Sequence, residues 1–170
     1  AGPNCFKLLI RDLLFRLPFI KYVDDVTVVS VSHNIDDDSL QLAMCDLELW
    51  CVNNGMCLNT KKTKEMCFSF GKSIIVDNCK PLTAGAAVIE RVKEFKILGV
   101  IFSCDLTWNK HVQYIVAKAS KRLFAICHLV RCGFAKDDIV AVYCALIRPV
   151  LEYASPVWHC GLTGSLIDDV

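Results

Sequence analysis

The sequence predicts an α+β protein, with a mixed N-terminal half built around a β-hairpin and a helical C-terminal half. Three observations carry this. Two runs rich in β-branched and aromatic residues, Phe19-Ile20-Lys21-Tyr22-Val23 and Val26-Thr27-Val28-Val29-Ser30-Val31, flank the pair Asp24-Asp25, as the arms of a tight hairpin do. Beyond Asp105 the apolar residues recur at three- and four-residue steps, the period of an amphipathic helix. Hydrophobic residues make up 54% of the 170-residue chain and charged ones 22%, enough for a core and too apolar for a disordered chain.

Each element follows from local chemistry. Phe6, Leu9, Ile10, Leu13 and Leu14 give residues 1–17 a helical pattern, with Pro3 near its start and Pro18 at its end. The hairpin comes next. Asp36, Asp37 and Asp38 cap a second helix, whose stripe is Leu40, Ala43, Leu47, Trp50 and Cys51 and whose stop is Gly55. Strands are predicted from Glu65 to Phe70 and from Phe95 to Phe102. Between them Lys72 to Ala87, with Pro81 and Gly85, reads as loop with short extended pieces. Trp108 to Cys132 is a long amphipathic helix closed by Gly133. Asp137 or Asp138 caps another that reaches Ile147, where Pro149 limits it. The change of pattern divides residues 1–104 from residues 105–170.

Composition excludes several classes. No apolar run approaches the roughly 18–20 uninterrupted residues of a membrane span, since Arg148 and Pro149 break the most apolar stretch, Ile139 to Leu151. Arg11, Asp12 and Arg16 interrupt the N-terminal apolar segment, which argues against a signal peptide. The expectation is an intracellular protein, in nucleus or cytoplasm, neither secreted nor bound to a membrane. Eleven cysteines contain no Cys-x-x-Cys pair, so zinc and a disulfide framework are disfavoured, and reduced core thiols are expected. The net charge of +1 requires any polyanion-binding surface to be a segregated patch.

Asp24-Asp25 is the most informative pair. Adjacent carboxylates at a hairpin tip repel, and a divalent cation would relieve that. Mg²⁺ prefers hard oxygen ligands, and carboxylates hold the ions of two-metal nucleotidyl transfer. Taken alone, the tetrapeptide reads more often as an acidic turn without metal. Lys62, among Lys61 and Lys64, reads alone as a solvated charge, and Leu98-Gly99 as a strand with a glycine bend. On the long helix, Ile115, Val116, Ala119, Leu123, Ile126 and Val130 share one arc. Lys110, Lys118, Lys121 and Arg122 share another beside it. That basic stripe can neutralise phosphates without reading sequence; an ordinary solvated helix face is the alternative. His111 and His128 read as packing or surface residues.

Context joins these pieces. Tyr22-Val23-Asp24-Asp25 resembles the Tyr-x-Asp-Asp box, motif C, of reverse transcriptases. In the same order, Gly2-Pro3 with Phe6, Leu9, Ile10 and Asp12-Leu13 resembles the tail of motif B. Leu58-Asn59-Thr60-Lys61-Lys62-Thr63 resembles motif D, and Phe95-Lys96-Ile97-Leu98-Gly99-Val100 resembles motif E. Leu106-Thr107-Trp108-Asn109 and Ile147-Arg148-Pro149-Val150-Leu151-Glu152-Tyr153-Ala154 are similar to the thumb of Jockey-like elements. The ordered set resembles the reverse transcriptases of non-LTR (LINE-type) retrotransposons. Arg11 departs from the asparagine that often precedes Asp12-Leu13 in that family.

The resemblance implies a partial polymerase palm over 1–104, with the hairpin and an antiparallel sheet packed against helices, and a helical thumb over 105–170. It implies Asp24 and Asp25 as catalytic ligands of Mg²⁺ (or Mn²⁺) in the intact parent enzyme. Lys62 becomes the acid for departing pyrophosphate, and Leu98 and Gly99 become the primer contact. Lys110, Lys118, Lys121 and Arg122 become a nucleic-acid surface. The partners implied are an RNA template with a DNA primer, and dNTPs. The match starts inside motif B, so the motif A aspartate and the fingers have no counterpart. A fragment of a polymerase, inactive alone, is therefore expected. The alternative is a retrotransposon relic that acts as a non-catalytic nucleic-acid-binding module.

Overall fold

The computed structural model describes residues 10–32, 37–68 and 80–162. The chain divides into two compact units, Ala1–Val92 and Lys93–Val170. The fold class is α+β, as the sequence predicts.

In the first unit, strands β1 (Phe19–Tyr22) and β2 (Asp25–Val28) form an antiparallel hairpin. Residues 10–17 before it are turns and bends rather than the end of a helix, and the rest of that predicted helix lies outside the described residues. Helix α1 spans Ser39–Asn53. Asp38 is its N-cap but makes no side-chain cap bond. Asp37 serves instead, its Oδ1 accepting from the Ser39 N–H at 2.9 Å. That bond holds the Asp37 carboxyl below its ordinary value. Gly55, at φ 63, ends the helix in the left-handed conformation glycine tolerates.

The rest of this unit is made of two-residue ladders. Strands β3 (Lys64–Glu65) and β6 (Glu90–Arg91) pair in parallel, while β4 (Thr83–Ala84) and β5 (Ala87–Val88) pair antiparallel. The expected strand over 65–70 is thus shorter, and its last two residues lie outside the described residues. Side-chain bonds brace ladders this short. Lys64 pairs with Glu90 and Arg91 with Glu65, matching the strand register. Gln41 binds the Thr83 backbone twice, at 2.9 Å each way, fixing β4 to α1. Met44, Leu82, Ala84 and Ile89 form the core beneath.

In the second unit, β7 (Glu94–Ile97) and β8 (Val100–Ser103) make a hairpin that leads into helix α2 (Asn109–Arg131). The unit boundary lies before this hairpin because Val100 packs with the helices. Asp105 Oδ1 accepts from the Thr107 N–H and hydroxyl at 3.0 and 2.9 Å, turning the chain into α2. Helices α3 (Lys136–Leu146), α4 (Arg148–Leu151) and α5 (Ser155–Trp158) follow, then a short 3₁₀ turn at His159–Gly161. The N-cap of α3 is Ala135. The helix starts earlier than expected, so Asp137 and Asp138 sit in its first turn, where they favour the positive end of the helix.

The core of this unit gathers Val100, Trp108, Val112, Ile115, Val150 and Trp158. Gly161 lies so close to Trp108 that a Cβ there would fall on the indole nitrogen. The apolar stripe of α2 outruns its cover. Ile115 and Ala119 are buried, but among the described residues Leu123 and Val130 are left 45% and 56% exposed.

Two expectations change. By length and composition, Lys136–Gly161 is apolar enough to cross a membrane, and only 11% of its most apolar window is buried. Pro149 and the left-handed Ala154, at φ 52, break the run into the short helices above. Among the nine described cysteines only Cys51 is buried, and Cys45, Cys57, Cys127, Cys132, Cys144 and Cys160 are exposed. They are not the core thiols expected, since most of the described cysteines are exposed.

Candidate functional site

In the first unit, Tyr22 pairs with Asp25 across the ladder. The two turn residues are therefore Val23 and Asp24, one position earlier than the two-acid tip the sequence suggests. Val23 has φ 55. A β-branched residue there is a genuine outlier, costing about 1–3 kcal/mol, and persists only where the surrounding structure holds it. Its effect is to set Asp24 at the apex and Asp25 on the first strand residue, both exposed. Lys21 anchors one arm, its Nζ donating to the Ile10 carbonyl at 2.7 Å.

Two adjacent, exposed carboxylates suit Mg²⁺. That ion commonly takes one or two protein carboxylates and completes its octahedron with water and substrate oxygens. Among the described residues no group of three or more His, Cys, Asp or Glu side chains gathers to hold a metal. Asp24 and Asp25 alone offer two carboxylates, fewer than a complete set of protein ligands.

Lys62 lies on a turn built by Asn59. The Asn59 carbonyl accepts from the Lys62 and Thr63 N–H groups at 3.1 and 2.9 Å, and its Oδ1 accepts again from Lys62 at 3.2 Å. The side chain of Lys62 is exposed. No hydrogen bond or ion pair joins it to Asp24 or Asp25.

The second unit holds a cleft of about 320 Å³ lined by Lys96, Leu98, Gly99, Tyr114, Ile115, Lys118, Arg122, Pro149, Val150 and Tyr153. Four residues singled out from sequence, Leu98, Gly99, Lys118 and Arg122, meet here. The cleft has three cations and no carboxylate in its lining. Lys96 Nζ donates to the Tyr114 hydroxyl at 2.7 Å and lies 4.3 Å from its ring centre; Lys118 Nζ lies 5.9 Å from the same centre. The Lys96 hydrogen bond, aided by both ammonium charges, holds the Tyr114 phenol below its ordinary value. Arg122 also donates to the Leu146 carbonyl, capping the end of α3.

The turn at the rim has Leu98 at φ 48 and Gly99 at φ 95. Left-handed backbone at both central residues is the geometry of a type I′ hairpin. Lys110 and Lys121 do not line the cleft. Lys110 is exposed and 3.9 Å from Glu94, and Lys121 is exposed on α2.

Lys96, Tyr114 and Tyr153 are cleft residues that sequence reasoning did not single out. Lys96 and Tyr153 lie within the quoted motif E and thumb segments, and the helical period places Tyr114 four residues before Lys118. His111 is buried to 0% exposure, edge-on to Trp158, and its Nδ1 accepts from the Ile101 N–H at 3.3 Å. Burial, aided by the Lys96 charge, pushes its pKa down. His128 is exposed and stacks on Phe124. Both are the packing and surface residues predicted.

The chain is similar to the RNA-directed DNA polymerase from mobile element jockey of Drosophila funebris, at 26% identity over 141 residues. The match covers 81% of this chain and 15% of that protein. It supports a relationship to retrotransposon reverse transcriptases. No protein-family model matches the chain. No solved structure gives a significant match.

Proposed function

We propose that the chain is part of an RNA-directed DNA polymerase of LINE type, contributing the acidic hairpin of the catalytic centre and a surface that holds the template–primer duplex. The supporting observation is the cleft of the second unit. The Leu98-Gly99 turn and the basic side chains of α2 reach it from separate elements, together with a third cation, Lys96. An acid-free cleft of this kind suits a phosphodiester backbone and carries no sequence information.

In this reading Asp24 and Asp25 supply carboxylate oxygens to Mg²⁺ (or Mn²⁺). When bound, the ion neutralises charge developing on the transferred phosphoryl group and the pyrophosphate. The strained Val23 fixes the direction of Asp24. Lys62, with no ion-pair partner among the described residues and exposed on its turn, delivers a proton to the leaving pyrophosphate from its ammonium. Leu98 and Gly99 touch the primer. Lys118 and Arg122 neutralise phosphates inside the cleft, and Lys110 and Lys121 extend the basic face outside it. The substrates are dNTPs, an RNA template and a DNA primer.

The test is a salt titration. The purified 170-residue chain is expected to bind an RNA–DNA hybrid duplex at low salt, with affinity falling linearly in log–log terms as salt rises. No affinity at low salt would refute the reading. With only Asp24 and Asp25 as ligands, this chain alone is expected not to extend a primer with Mg²⁺ and dNTPs. Nucleotide incorporation would refute that part.

A further inference from the structure

We propose that Tyr153 is a positioning residue that latches the Leu98-Gly99 turn and so sets the direction of its peptide N–H. The inference rests on the reading above, in which that turn meets the primer.

Tyr153 comes from the segment between α4 and α5, 55 residues beyond the turn in sequence, and its hydroxyl donates to the Leu98 carbonyl at 2.7 Å. In a two-residue I′ turn the ladder closes between the flanking residues, here Ile97 and Val100. The Leu98 carbonyl is thus left outside it. The Gly99 side of the same peptide is filled by the same ring. A Cβ on Gly99 would stand 3.0 Å from Tyr153 Cε1. One side chain therefore both binds the peptide and packs against it.

Tyr153 is itself fixed from behind. The buried Trp158 donates its indole N–H to the Tyr153 carbonyl at 2.9 Å, and Ala154 turns the chain at φ 52. Tyr153 is 52% exposed, so burial explains little of its placement. The peptide is planar, and its C=O and N–H point to opposite sides. Holding the Leu98 carbonyl on the tyrosine therefore aims the Gly99 N–H the other way, as a donor for a phosphate oxygen. Without the hydroxyl, the peptide can rotate between turn types.

The experiment compares the 170-residue chain with its Tyr153→Phe variant, which keeps the ring against Gly99. Amide hydrogen exchange at Val100 is expected to rise about fivefold, the factor for one lost neutral hydrogen bond. Exchange along α2 should stay unchanged. Affinity for an RNA–DNA hybrid duplex should fall severalfold with an unchanged salt slope, because no cation is removed. Unchanged exchange at Val100 overturns the latch. So does a rise spread evenly through the unit, the mark of a merely structural tyrosine. Faster exchange with wild-type affinity overturns the positioning role while leaving the nucleic-acid reading intact. If the unaltered chain binds no duplex, the nucleic-acid reading fails, and Val100 exchange alone decides whether Tyr153 holds the turn.

Discussion

Replacing Trp158 with alanine should remove about a third or more of the stability of the second unit. The side chain is 1% exposed and packs with Val100, Trp108, Val112, Ile115 and Val150, edge-on to His111. Deleting a buried tryptophan costs about 3–5 kcal/mol through lost transfer energy and the cavity left behind. The indole also donates to the Tyr153 carbonyl, and that bond contributes about 1 kcal/mol. Against this, a unit of roughly 80 residues holds about 4–12 kcal/mol in total. At the low end the variant retains no folded second unit. At the high end its urea midpoint drops by more than about 1 M, with slopes of about 1–3 kcal/mol/M. Trp158→Phe keeps a ring and loses the donor, so it should cost about 1–2 kcal/mol. Urea unfolding followed by far-UV circular dichroism reads both variants. A midpoint shift under about 0.5 M in Trp158→Ala, with an unchanged slope, would refute the assignment of Trp158 to the core.

Four further outcomes are expected. The His111 pKa lies below its ordinary value of 6.5 through burial, so the unfolded state takes up its proton first. Stability is then flat above that value and falls as pH drops below it; a urea midpoint that holds steady into that range, or the same acid slope in His111→Gln, refutes this. Gly161→Ala drives a methyl onto the Trp108 indole and should cost about 1–3 kcal/mol, with an unchanged melting temperature as the contrary result. Lys118→Ala and Arg122→Ala should each lower the salt slope of duplex binding by about 0.9. Only Arg122→Ala should also lower stability, by about 1 kcal/mol, because only Arg122 caps the Leu146 carbonyl; equal melting temperatures for the pair would contradict this.

Long-period features were legible in the sequence. Helix α2 runs within a residue of its predicted ends because an apolar period sustained over six turns has one reading. The first hairpin announces itself through β-branched residues around an acidic pair, whereas Phe95 to Phe102, which reads as one strand with a glycine bend, folds back as two strands about the Leu98-Gly99 turn. What sequence could not give depends on partners far along the chain. The β3–β6 and β4–β5 ladders are two residues long. They stand because Gln41 reaches Thr83 and charges pair across the register. The turn register slipped by one because valine is among the least expected residues at positive φ, so Val23 was read as strand. At the cleft, Lys118 and Arg122 follow from helical spacing, while Leu98 and Gly99 were singled out through resemblance alone. Lys96, Tyr114 and Tyr153 converge from three elements, which no local pattern displays.

The core of the second unit also constrains how the chain can be made. Its earliest member is Val100 and its last is Trp158, with Tyr153 reaching back to Leu98. A ribosome adding roughly 5–20 residues per second delivers the closing segment about 3–12 s after the hairpin emerges. Through that interval Val100, Trp108 and Val112 lack the cover of Val150 and Trp158, and α2 carries its exposed Leu123, Phe124 and Val130 besides. Non-local closure of this kind is slow and exposes the nascent chain to aggregation. Slow translation just before residue 150 would lengthen the window, whereas a holding chaperone bound to α2 would shield it.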